Sequence, residues 1–312
     1  MNSLTDCQSV CNNYGMRKSK SALGASLVVL SSLLYGSFGI WMKLMGSAFG
    51  SYEQAFIRCF VVSLGLLAYM TWRKKWERLG LRQNGKWLLL ACLGSMFTAG
   101  PIYFATLKLG VGLATCLMYS GVVLGMFVFG WLFSGERYTK EKALATALAI
   151  AGLFFMFSGT FSHVGTVAFA AALGSGFGIA LNVVAAQKMP YGATQSSAVG
   201  WFAGACANGL LMLVAGEQLR FVWSAAWVYL AIFSVIAVAA FWCVVRGVKL
   251  IDAGSAGILG LLEAVFGVVF GVIIFGERPT PRVLAGMAAI VCAAAIPYLH
   301  HFRLKDKPFE LS

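Results

Sequence analysis

Charge is what this sequence has least of. Asp, Glu, Lys and Arg make up 11% of its 312 residues, against about 25% in soluble chains, and no polar stretch is long enough to hold a soluble domain. Acids are scarcest. Of eleven Asp and Glu, only Glu263 falls deep inside an apolar run, with Glu53 at the start of another. A protease built on paired intramembrane acids therefore has no partner carboxylate. Histidine is nearly absent too. His163, His300 and His301 stand in a loop or in the C-terminal tail, which leaves a Ser-His dyad or a metal site without ligands in the spans. The eight Cys show no CxxC spacing and mostly lie inside apolar runs, so neither a zinc nor a disulfide framework is expected. Cys7 and Cys11 in the polar N-terminal tail take no role in this reading. The Walker phosphate loop is missing as well. No catalytic residue, metal or cofactor is expected, and the chain is not read as an enzyme.

Apolar residues fill the space that charge vacates: 60% of the chain is hydrophobic, with a mean hydropathy of +0.81. Ten apolar runs cover about 22–42, 52–72, 87–107, 112–133, 143–159, 166–186, 194–216, 225–245, 254–275 and 282–299. Most approach the roughly 20 residues a spanning helix needs. The expected fold is an all-α polytopic membrane protein with ten transmembrane helices. The first run is of full spanning length and reads as a transmembrane helix rather than a cleaved signal. The net charge of +13 would suggest nucleic acid in a soluble protein. Here Lys and Arg gather in loops, where they set topology, and no nucleic-acid partner is expected. With both termini inside, eighteen basic residues lie on the cytoplasmic side and five on the other. The Arg73–Lys86 connection alone carries six of the eighteen. An integral inner or plasma membrane protein with cytoplasmic termini follows.

Two runs end alike. Gly135-Glu136-Arg137-Tyr138-Thr139 closes the fourth, and Gly276-Glu277-Arg278-Pro279-Thr280 closes the ninth, 141 residues later. The same shift aligns Lys108 with Lys249, Leu109 with Leu250, Phe129 with Phe270 and Gly130 with Gly271, without a gap. A duplicated unit of five helices has an odd count, so the second copy enters the membrane from the opposite face. The expected organisation is a tail (1–21), a first repeat (22–159), an inverted second repeat (166–299) and a second tail (300–312). Inverted repeats are a plan of secondary carriers, whose substrate sites lie near the midplane between the halves.

The sequence also resembles the EamA-like transporters of the drug/metabolite transporter superfamily, across both halves. Tyr35-Gly36-Ser37-Phe38 stands where the family commonly has Trp-Gly-Ser-Asn-Phe. Arg58 sits in a setting like its Arg-Phe segment, Leu262-Glu263-Ala264-Val265 is similar to its Leu-Glu-Pro-Val, and the two Gly-Glu-Arg-x-Thr endings match its helix exits. There are departures. Tyr35 replaces Trp, Ala264 replaces Pro, and Ser120-Gly121-Val122 lacks a Pro, so no Pro-induced helix break is expected. The resemblance implies export of amino acids, other metabolites or drugs, without naming a substrate.

Glu263 has two readings: a group that binds a cationic substrate or exchanges protons, or a bridge between helices. Its counterpart under the 141-residue shift is Val122, which suits an asymmetric site better than a repeated scaffold. Arg58 either snorkels and pairs with Glu53 or with the end of the ninth helix, or binds an anionic substrate group. Asn182 and Asn208 serve as interhelical glue or face a cavity, Asn182 with the better claim because Gly174, Gly176 and Gly178 precede it. Tyr35, Tyr103, Tyr119, Trp201 and Trp242 fall within runs and can line a pathway or simply pack. The motif residues Gly135, Glu136, Arg137, Thr139, Gly276, Glu277, Arg278 and Thr280 read as structural, with each Thr capping the next helix. The substrate- or proton-binding set is thus Glu263, Asn182, Tyr35, Tyr119, Arg58 and Trp201.

The reading is a secondary transporter that exports a small organic metabolite, amino acid-like or other, by alternating access. Its partners are that solute and membrane lipid, and it acts as a monomer or homodimer. The rivals are a multidrug or lipid-precursor translocase and a non-transporting membrane scaffold. A polar central cavity favours transport, and a closed apolar bundle favours the scaffold.

Overall fold

The computed structural model describes residues 20–45, 48–77, 81–109, 111–136, 139–158, 165–219 and 224–303. The described residues form ten helices and no strand: α1 (Lys20–Met45), α2 (Ser51–Trp72), α3 (Leu81–Leu109), α4 (Val111–Ser134), α5 (Lys140–Phe157), α6 (Thr166–Lys188), α7 (Ala193–Val214), α8 (Ala226–Val248), α9 (Ala253–Phe275) and α10 (Pro281–Arg303). Seven of them, all but α3, α5 and α10, are long and apolar enough to cross a membrane. Residues 1–19, with Cys7 and Cys11, and 304–312 lie outside the described residues, as does Arg137, and α10 carries residues 300–303 of the expected second tail as helix. Helix α3 starts earlier than the apolar run predicts and takes Arg82 and Lys86 into its first turns. Both are good helix formers.

The two Gly-Glu-Arg-x-Thr segments have the same geometry. Gly135 and Gly276 adopt φ of +63° and +65°, the left-handed conformation that glycine takes most readily at a helix end. Their amides donate to Trp131 and Val272, both at 3.1 Å, and the amides of Glu136 and Glu277 donate to Gly130 and Gly271, both at 3.2 Å. Thr139 and Thr280 then accept from the amides of Lys142 and Val283 at 3.4 and 3.5 Å, capping α5 and α10. A second pair of ends also matches. Helices α2 and α7 finish on Lys74 and Gly216, with φ of +50° and +70°, and the next amides donate to Met70 and Met212, both at 3.0 Å. Just beyond, Glu77 accepts from the Gly192 amide at 3.0 Å at the start of α7. Glu217 accepts from the amides of Tyr52 and Glu53 at 2.9 Å at the start of α2.

Small residues set the packing, because without Cβ atoms in the way helix backbones approach closely. Along α4 and α9 the contacts run in opposite senses: Ala253 meets Gly130, Gly254 meets Phe127 and Gly257 meets Met126. The pairs α4/α6 and α1/α9 run parallel, with Gly121 on Leu173 and Gly125 on Ala180 in one, and Ser32 on Leu259 and Gly36 on Phe266 in the other. The pairs α1/α8 and α3/α6 are tied by like bonds. Ser31 donates to the Ala240 carbonyl at 2.8 Å, and Ser175 to the Thr98 carbonyl at 2.6 Å. Gly152 and Gly286 bring α5 against α10 at the edge of the bundle. The outer faces stay apolar: Trp72, Val214 and Ile273 are each more than 70% exposed, a surface suited to lipid.

Two helices are interrupted. Ser37 forms a turn within α1, and Leu261 one within α9. The α9 break occurs without a proline. Glycine lowers helix propensity by about 1 kcal/mol, and Gly254, Gly257 and Gly260 crowd this segment. The carbonyls of Leu259 and Gly260 accept from the Ser32 hydroxyl at 3.2 and 3.5 Å instead.

Candidate functional site

A cavity of about 310 Å³ lies at the centre, lined by α1 to α4 and α6 to α9, while α5 and α10 contribute nothing to it. Its wall takes in Tyr35, Arg58, Tyr119, Asn182, Trp201 and Glu263, so the bundle brings all six residues singled out in the sequence to one space. Most of the remaining lining is apolar. Val122, the counterpart of Glu263 in the repeat, faces the same space.

Glu263 owes its position to the break at Leu261. It occupies the first turn of the second segment, Leu262–Phe275, where a helix dipole favours an acid. The Tyr119 hydroxyl of α4 lies within hydrogen-bonding reach of its carboxylate. Across the cavity, Arg58 of α2 lies with its guanidinium carbon 4.4 Å from the Phe233 ring centre and 5.7 Å from that of Phe38. Rings at such distances attract a cation without neutralising it. Glu53 is engaged elsewhere, accepting from the Gly50 amide at 3.0 Å. Tyr35, edge-on to Phe38 at 4.9 Å, lies within electrostatic reach of both Glu263 and Arg58.

Three buried polar atoms of the lining residues make no hydrogen bond among the described residues: Nε of Arg58, Nε1 of Trp201 and Oδ1 of Asn208. An unpaired buried donor or acceptor costs about 1–3 kcal/mol. These atoms are therefore the ones with most to gain from a polar ligand. Both asparagines line the cavity. The Asn182 amide nitrogen is spent on α3, donating to the Ala91 carbonyl at 2.9 Å and to the Ser95 hydroxyl. Asn208 donates to the Gly204 carbonyl at 2.7 Å and keeps its oxygen free. Of the three glycines before Asn182, Gly174 has open space around it, whereas a Cβ on Gly176 would meet the Met118 carbonyl at 2.0 Å and one on Gly178 the Gly94 carbonyl at 3.0 Å.

The sequence reading passed over Ser31, Ser32, Ser95 and Thr98, which also line the cavity. A signal existed for the first two. They precede Tyr35 by four and three residues, the spacing that stacks side chains on one helix face. Trp242 does not line the cavity and instead lies 5.0 Å from the guanidinium of Arg246. The Tyr103 side chain lies outside the described residues.

A space of this volume closed in by eight helices suits a small solute and not a macromolecule, which places the molecule among membrane solute transporters. Comparison with known proteins agrees. The chain belongs to the EamA-like transporter family, whose sequence model matches residues 22–158 and 166–299. It is similar to solute carrier family 35 member G1 of Mus musculus, at 23% identity over 310 residues, covering 90% of this chain and 81% of that one. It is also similar to the Homo sapiens protein of the same name, at 23% identity, covering 87% and 77% of the two chains. A solved crystal structure shares the fold with a TM-score of 0.74 at 17% identity, covering 90% of this chain and 99% of the other.

Proposed function

We propose that this protein is a secondary carrier that exports a small organic metabolite across the inner or plasma membrane by alternating access. All ten helices cross the bilayer, as two inverted halves with both termini in the cytoplasm. The observation that carries this reading is the central cavity, in which Glu263 and Arg58 stand on different helices with unpaired polar atoms around them. A passive scaffold has no use for buried polar groups left without partners, and a solute repays their desolvation. Glu263, Tyr119 and the Asn208 oxygen take a cationic or hydrogen-bond-donating group, while Arg58 and Trp201 donate to an anionic or polar one. The antiparallel run of α4 against α9, with matched turns at their two exits, supports the inverted plan. The basic count supports the orientation.

The test is untargeted metabolite profiling of cells with and without the protein, followed by uptake of the enriched solutes into inverted vesicles. A solute accumulated with the protein present, and lost with Glu263→Gln at equal expression, establishes the carrier. Identical profiles in all cells would overturn it.

A further inference from the structure

We propose that Glu136 and Glu277, with Lys249 and Lys108, are reciprocal latches that close the central cavity alternately from its two ends. The proposal rests on the alternating-access reading and assigns it moving parts. At one end both members of the set are engaged. Glu136 accepts from the amides of Ala253 and Gly254 at 2.9 and 3.4 Å, which seats the exit of α4 on the start of α9. Lys249, at the end of α8, donates to the carbonyls of Met189 and Tyr191 at 2.8 and 2.6 Å, just past the end of α6.

At the other end the counterparts are apart. The 141-residue shift carries Ala253 and Gly254 onto Gly112 and Leu113 at the start of α4, yet Glu277, which folds over Gly271 as Glu136 folds over Gly130, takes no bond from them among the described residues. Its side chain is 59% exposed and pairs with Lys43 of α1 at 3.1 Å. Lys108, the counterpart of Lys249, is exposed and takes part in no ion pair among the described residues. The chemistry is duplicated, but only one copy of it is made.

Helices α2 and α7 supply the contrast. Their reciprocal caps, Glu77 on Gly192 and Glu217 on Tyr52 and Glu53, are made at both ends. Among these caps and ties, the departure from symmetry thus falls at the ends of α3, α4, α8 and α9. The α2/α7 pair is the fixed frame, and those four helices swing against it. In the opposite state Glu277 leaves Lys43 for the amides of Gly112 and Leu113, Lys108 reaches the carbonyls at the end of α1, and Glu136 and Lys249 let go. One further tie has no twin. Lys142 pairs with Asp252 at 2.7 Å, whereas the shifted positions hold Val283 and Val111. It biases the molecule toward closure at the Glu136 end.

Hydrogen–deuterium exchange of the full-length protein in lipid nanodiscs tests this without knowledge of the substrate. Lys249→Met should raise exchange at residues 253–254 on the order of tenfold, the weight of a charged hydrogen bond, while lowering it at residues 112–113. Adding Lys108→Met should abolish that lowering. Lys142→Met removes the bias while leaving every latch residue in place, so it should give the same opposite-signed change on a smaller scale; it serves if Lys249→Met does not fold. Exchange that rises at both segments together, or changes at neither, would overturn the latch. Opposite-signed exchange with no solute transported would leave the latch standing and remove the carrier reading. Transport with unchanged exchange at both segments would do the reverse.

Discussion

Tyr119 and Glu263 meet across the α4/α9 seam, so the one acid deep in a span is held by the helix whose own equivalent position is Val122. Tyr119 stands three residues before Val122, the position that the 141-residue shift pairs with Glu263. Glu263→Gln preserves shape and hydrogen bonding but deletes the charge. Transport of the identified solute in proteoliposomes should fall at least tenfold, with elution and melting of the purified protein unchanged, while Glu263→Asp should retain part of the rate. A wild-type rate for the Gln variant would reduce Glu263 to a helix bridge.

A second prediction concerns Asp252, which lies outside the spans. Burial alone would lift its carboxyl, but the bonds from Lys142 and from the Ser255 amide and hydroxyl outweigh this and hold it below the ordinary carboxylate range. A depressed carboxyl contributes stability above its unfolded value, near 3.9, and loses it as the pH falls through the folded value. The tie should be intact from pH 7 to pH 5 and fail only in stronger acid. Asp252→Asn should destabilise the detergent-solubilised protein by about 1–3 kcal/mol at pH 7, read as a lower melting temperature, and this difference should shrink in strong acid.

Lys74 holds a positive φ of 50° where its counterpart is Gly216. A side chain in that conformation costs about 1 kcal/mol. Lys74→Gly should raise the melting temperature by a degree or more, whereas Gly216→Lys should lower it.

Gly174 and Gly176, two residues apart on α6, should respond oppositely to the same substitution. A Cβ on Gly176 would strike backbone of α4 at 2.0 Å, whereas one on Gly174 meets nothing within 4 Å. Gly176→Ala should lose about 3 kcal/mol or fail to express, as overpacking against backbone does. Gly174→Ala should melt with the wild type.

Much of the architecture was legible because its signals are periodic. The apolar runs announce helices, and Gly-Glu-Arg-x-Thr announces matched exits, whose geometry is the same to within 2° in φ at Gly135 and Gly276. What stayed hidden depends on partners without a sequence identity. Glu77 and Glu217 each seek backbone amides, which every residue but proline carries, so nothing in the chain pairs Glu77 with Gly192 in advance. The break at Leu261 was hidden for a related reason. It is stabilised by Ser32, 229 residues away in sequence, and not by a local proline. That the Asn182 nitrogen is held by Ser95 is likewise a matter of the neighbouring helix and not of local sequence.

The interruptions in α1 and α9 fall side by side, with Gly36 against Glu263 and Gly267, whereas their counterparts α6 and α4 run unbroken. A helix already interrupted bends there at no further loss of backbone bonding. An intact one in hydrocarbon must strip an amide or carbonyl, at several kcal/mol each. Mechanically, then, the two-fold likeness of the halves is false: the cavity has one compliant wall and one stiff wall. A solute too large for the resting space is admitted by yielding of the α1/α9 side alone. The ceiling on cargo size is therefore set by the reach of that single hinge.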